Sequence, residues 1–147
     1  NLIKKLRLKN NILVHRDFHV SNLMMVKKEI GVIDTQDALI GNKAYDLASL
    51  IDDVRFETSN NFKKSLYKYY LDSQKNLNKE YFKNDFEIIS VLRNLKIIGI
   101  FTRLAVRDNK KKYLKLIPYT WDLIRLRSKN NGKFNNLNDL LNSLKID

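Results

Sequence analysis

The chain has 147 residues, 44% hydrophobic and 30% charged, the proportions of one globular domain over residues 1–147. It holds no cysteine, which excludes a disulfide framework and a thiolate metal site, and no apolar run reaches the roughly 20 residues that cross a bilayer. A cytoplasmic protein without a membrane partner is the expectation. The net charge of +12 invites a nucleic-acid partner, but over residues 15–57 eight acids face five bases, a local charge of −3, so the excess of +15 lies on lysines scattered elsewhere. Nucleic acid is therefore not the expected partner.

Four glycines and one proline punctuate the chain, so turns are read from clusters of Asn, Asp and Ser. Residues 11–14 read as a strand that runs into a polar segment, 15–22. The apolar runs 23–26 and 30–33, separated by Lys27, Lys28 and Glu29, predict a hairpin. Gly31 marks a weak point in its second strand, or a close approach of another backbone or a ligand. The period then turns helical. Tyr45, Leu47, Ala48, Leu50, Ile51 and Val54 predict a helix over 44–54. Asn60 or Asn61 would cap a second, with Phe62, Leu66, Tyr69, Tyr70 and Leu77 on its apolar face. Residues 85–107 are apolar on most sides and predict a central buried helix. A further helix over 113–126 would be kinked or split by Pro118, and a short one over 137–144 closes the chain. Strands first and helices after predict an α+β domain, mainly α.

The chemistry is concentrated in the segment Val14-His15-Arg16-Asp17-Phe18-His19-Val20-Ser21-Asn22-Leu23. An Asp and an Asn five residues apart on a loop held by strands do complementary work. Asp17 can accept or orient the proton of an attacking hydroxyl, and Asn22 can offer its side-chain carbonyl to a hard cation. Asp34 ends an apolar strand seventeen residues beyond Asp17. A carboxylate there is placed to hold Mg²⁺ against nucleotide phosphates. Phosphoryl transfer needs little else from this side than a positioned hydroxyl, a metal and charge compensation. Elsewhere the readings are plainer. Arg16 compensates nearby carboxylates, and Asp52 and Asp53 form a solvated helix end. Of Arg93, Arg103 and Arg107, at least one pairs with an acid. Lys110, Lys111 and Lys112 are an exposed charge run, and the aromatic residues, Trp121 included, belong to the core.

The pattern His15-x-Asp17-x-x-x-x-Asn22, followed by Ile33-Asp34, resembles the signature of the aminoglycoside phosphotransferase-like kinases, relatives of the protein kinases. The likeness continues through Gly31-Val32-Ile33-Asp34-Thr35-Gln36-Asp37-Ala38, Gly41 and Tyr45-Asp46-Leu47-Ala48-Ser49-Leu50. It extends over residues 93–104, Tyr113-Leu114 and Ile117-Pro118. Within the family these segments are similar to the bacterial N-acetylmuramate/N-acetylglucosamine anomeric kinases.

The resemblance implies the C-terminal lobe of a protein-kinase-like fold, with a small β-hairpin carrying the catalytic and metal-binding loops. It implies ATP and Mg²⁺ as cofactors and a sugar hydroxyl as acceptor. Asp17 would be the catalytic base, and Asn22 and Asp34 the metal ligands. Asp46 would brace the catalytic loop, with His15 packed beneath it. His19, Gln36, Asp37 and Arg103 are candidates for substrate contact or site polarity. The same motifs would serve an aminoglycoside, choline or homoserine kinase, or a non-catalytic lobe acting as a binding module. Ten residues precede the predicted first strand. The expectation is that an N-terminal nucleotide-binding lobe is absent from this chain and is supplied in cis or in trans, so that the chain alone turns over poorly or not at all.

Overall fold

The computed structural model describes residues 1–144. Four short strands, β1 (Asn10–Val14), β2 (Leu23–Val26), β3 (Glu29–Val32) and β4 (Leu39–Asn42), precede five helices. These are α1 (Tyr45–Ile51), α2 (Asn60–Ser73), α3 (Lys79–Val106), α4 (Ile117–Ser128) and α5 (Asn135–Ser143). The chain is mainly helical, with small antiparallel sheets.

The strands form two separate antiparallel ribbons, one nested in the other. β2 pairs with β3 across Lys27 and Lys28, with Val26 opposite Glu29. β1 pairs with β4, with Val14 opposite Leu39 and Ile12 opposite Gly41. The chain therefore crosses between ribbons twice, once over residues 15–22 and once over 33–38, and the two crossings run side by side. The strand β4 is not expected from the pattern. Leu39 and Ile40 are both exposed and Gly41 follows, so no alternation announces it. At Gly31 an added Cβ would meet the Val26 side chain at 3.3 Å, so the close approach there comes from its own hairpin.

The helices are set by caps and by α3. Ser59 rather than Asn60 or Asn61 caps α2, its hydroxyl accepting the Phe62 N–H at 3.2 Å. Phe62 and Tyr69 point outward, and the buried side of α2 is carried by Leu66, Tyr67, Tyr70 and Leu71. Asn78 caps α3 through the Tyr81 N–H, so this helix starts six residues before the apolar run that predicts it. Its 28 residues span about 42 Å. All three apolar clusters are built on α3. Phe82, Phe86 and Ile89 pack on α1, Ile97 and Phe101 on Val54 and Leu123, and Ile88 and Val91 on Ile124 and Phe134. Pro118 splits the predicted helix over 113–126. A 3₁₀ segment, Lys111–Leu116, precedes it, and Pro118 lies in the first turn of α4, where its missing N–H costs nothing.

Asp85 joins the helices to the strands. It is fully buried, and its carboxylate accepts the backbone N–H of Arg7 and Leu8 at 2.8 and 2.9 Å and the Asn42 amide at 2.7 Å. Asn42 in turn accepts the Ala44 N–H, which turns the chain from β4 into α1. Among the described residues no helix is long and apolar enough to cross a membrane.

Candidate functional site

The two crossings bring Asp17, Asn22 and Asp34 together. Residues 17–22 close on themselves, the His19 N–H bonding the Asp17 carbonyl and the Asn22 N–H the His19 carbonyl. Asn22 Nδ2 then donates to the Asp17 carbonyl at 3.0 Å and to Asp34 Oδ2 at 3.4 Å. Both amide protons are thereby used on the inner side, and the Asn22 side-chain carbonyl remains as an acceptor. The crossings are also stitched by the Ile33 N–H to the Asn22 carbonyl (3.1 Å) and by His15 Nε2 donating to the Ile33 carbonyl (2.9 Å). Gln36 Nε2 donates to Asp34 Oδ1 at 2.7 Å, and Arg16 Nη1 to the Asp37 carbonyl at 3.3 Å. The Asp37 side chain is exposed.

Two residues of this region sit in the left-handed region of backbone space, Arg16 at φ 73° and Asp34 at φ 69°. For Arg16 this costs on the order of 1 kcal/mol or more, and it persists because the surroundings fix the loop. The fixing group is Asp46 on α1, whose carboxylate accepts the His15 N–H at 2.8 Å and the Arg16 N–H at 3.0 Å. The His15 ring meets Phe18 edge-on at 6.0 Å.

Asp52 and Asp53 are not a solvated helix end. α1 stops at Ile51 and both carboxylates turn inward, 0% and 1% exposed. Asp53 Oδ2 accepts the Val20 N–H at 3.2 Å and Oδ1 the Arg55 N–H at 3.0 Å. Asp52 is met by Arg127 Nε and Nη2 at 2.8 and 2.9 Å and by the Ser90 hydroxyl, with Lys63 at 3.8 Å. A signal for this burial was present. Asp52 follows Ala48 by four residues and so continues the apolar face. Partners for it could not be read from the local sequence.

His19 is 8% exposed, with Nδ1 buried and without a partner among the described residues. Burial, with the positive charges of Arg55 and Arg93, pulls its pKa below the usual histidine value, and Asp53 and Asp17 oppose this. Arg93 is buried near the same acids, whereas Arg107 pairs with the adjacent Asp108 at 2.7 Å. Arg103 is exposed on α3 ten residues beyond Arg93, about 15 Å along the helix, near Asp108. The structure does not bring it to the Asp17 loop.

The donor set suits a hard cation. Asp34 offers a carboxylate and Asn22 a carbonyl from adjoining crossings. Among the described residues no three His, Asp or Glu side chains cluster as a metal site, so a cation here would draw most of its shell from ligand and water oxygens.

A family model described as phosphotransferase enzyme family matches residues 1–80. The chain is 38% identical over 130 residues to the N-acetylmuramate/N-acetylglucosamine kinase of Neisseria meningitidis, covering 84% of this chain and 39% of that protein. It is 31% identical over 115 residues to the protein of the same name from Caulobacter vibrioides, covering 75% and 32%. With that of Pseudomonas putida it shares 34% over 113 residues, covering 73% and 33%. The chain thus spans about a third to two fifths of the length of these curated relatives. The family match covers more than half of the chain and contains every residue of the two crossings and of α1, and on this ground the chain belongs to the phosphotransferase enzyme family.

Proposed function

We propose that this chain is the catalytic, kinase-like C-terminal lobe of an ATP-dependent sugar kinase, with an amino sugar such as N-acetylmuramate or N-acetylglucosamine as acceptor. The observation that carries the reading is the Asn22 amide, which bonds the Asp17 carbonyl and the Asp34 carboxylate at once. It joins a candidate base and a candidate metal ligand in one rigid unit. Asp17 takes the proton of the acceptor hydroxyl as the base. Asn22 and Asp34 hold Mg²⁺, which neutralises charge on the ATP phosphates when bound. Asp46 braces the loop from below, with His15 tying it to the second crossing. Gln36 orients Asp34, and His19 lies beneath the loop. The relatives' names support the acceptor class.

A nucleotide-binding lobe, in cis or in trans, is the second part of the proposal. The ribbons support it, because Leu13, Met25, Ile30 and Ile40 are each more than 60% exposed, an apolar surface that suits a covering body. Use of ATP fits work in the cytoplasm.

The test is phosphate transfer from ATP to N-acetylmuramate and N-acetylglucosamine by the protein carrying this chain, with Asp17→Ala as control. Loss of the base lowers kcat by about 10²- to 10⁴-fold. Full activity in the Asp17→Ala variant overturns the role of Asp17. Transfer to neither sugar overturns the acceptor class.

A further inference from the structure

Arg93 is 7% exposed, yet no hydrogen bond or ion pair reaches its guanidinium among the described residues, and Nη1 is buried without a partner. Arg127, the other inward arginine, donates from Nε and Nη2 to the Asp52 carboxylate. A guanidinium N–H buried without an acceptor is costly, and a ligand that supplies one would relieve that cost. Arg93 lines a pocket of about 400 Å³ between α3 and the β1–β4 ribbon. Three cations line this pocket, Arg16, Arg93 and Lys96, and no acid does. Val14, Ile89 and Leu92 give it an apolar wall. Arg16 precedes Asp17 directly, and Arg93 is close enough to feel the charges of Asp17 and Asp53. The pocket therefore adjoins the loop that carries the candidate base.

We propose that this pocket is an anion subsite for the acceptor, in which Arg93, helped by Arg16 and Lys96, holds a carboxylate on the sugar. The inference rests on the sugar-kinase reading and adds a specificity residue to it. The guanidinium fork matches a carboxylate with two parallel hydrogen bonds. Of the two amino sugars, N-acetylmuramate carries a carboxylate on its lactyl ether and N-acetylglucosamine carries none. The subsite thus favours the acidic sugar.

The experiment measures the dissociation constants of both sugars by calorimetry, without nucleotide, in the protein carrying this chain and in Arg93→Gln and Arg93→Lys. The protein binds N-acetylmuramate about tenfold or more tightly than N-acetylglucosamine, Arg93→Gln brings this ratio near one, and Arg93→Lys keeps part of it. In turnover, Arg93→Gln raises KM for N-acetylmuramate more than it lowers kcat. Equal affinities for the two sugars in the unsubstituted protein, or an unchanged ratio in Arg93→Gln, overturn the subsite. So does a rise in the KM for ATP that is the same with either sugar, which would assign the pocket to nucleotide phosphate. A protein that binds N-acetylmuramate through Arg93 yet transfers no phosphate keeps the anion site and defeats the kinase reading.

Discussion

Asp53 accepts the backbone N–H of Val20 at 3.2 Å, three residues beyond Asp17. Seven residues earlier Asp46 accepts the N–H groups of His15 and Arg16, just before Asp17. Two carboxylates seven residues apart, one in the first turn of α1 and one just past its end, thus hold the loop on both sides of the candidate base. The position of Asp17 is set by α1 and the buried core under it, through backbone hydrogen bonds rather than through contacts of its own side chain.

Asp53→Ala removes the second hold while leaving Asp46 in place. Loosening a base by a fraction of an ångström lowers kcat by about 10- to 10²-fold, with a smaller change in KM. Asp53→Asn keeps an acceptor for the Val20 N–H and recovers part of the loss. Steady-state kinetics of the three proteins, with the Val20 amide followed by NMR, check this. Equal losses in both variants, with an unshifted Val20 amide, would show that charge and not positioning is at work.

Arg127→Ala leaves Asp52 fully buried beside only Lys63 and Ser90. Breaking a buried pair from one side costs about 3–5 kcal/mol. Replacing the whole set, as in Asp52→Asn with Arg127→Met and Lys63→Met, recovers most of this because no unpaired charge remains. Urea unfolding of the two variants measures the difference.

The depressed pKa of His19 makes stability depend on pH. In the fold the ring resists protonation, because it is buried and near Arg55 and Arg93, more than Asp53 and Asp17 favour the charge. The unfolded chain takes up a proton near the usual value of 6.5. The unfolded state therefore binds more protons below that pH, and stability falls as pH drops from about 6.5 through the lower folded value. His19→Gln flattens this part of the profile. Thermal unfolding between pH 5 and pH 8, a window of about that histidine range, compares the two. An equal slope in both proteins would assign it to other groups.

Arg93→Met stabilises the unliganded protein. The variant exchanges an unpaired buried cation for an apolar chain of similar length, a change expected to add about 1–2 kcal/mol. Denaturant midpoints at matched pH are the measurement. A large loss of stability would mean that Arg93 is satisfied within the fold.

The local patterns were legible because their causes are local. The hairpin of β2 and β3 is closed by two residues, the helices repeat their apolar positions every three or four, and Asp17, Asn22 and Asp34 stand within one short stretch whose pattern resembles a known family's. Caps were harder to read. At α2 three neighbouring residues could each have served, and the backbone direction at Ser59 decided among them.

Sequence alone therefore determined which residues could carry chemistry and which stretches would be helical, since both depend on neighbours within a few positions. The tertiary structure decided what those residues meet. β4 is a strand because β1, 25 or more residues away, offers it an edge. Asp52 is buried because α3 and α4 close over it, bringing Ser90 and Arg127 from 38 and 75 residues away, and Asp53 meets the Val20 N–H from 33 residues away. Arg93 is left unpaired for the same reason, its surroundings being assembled from α1, α3 and a ribbon that no local pattern could place together.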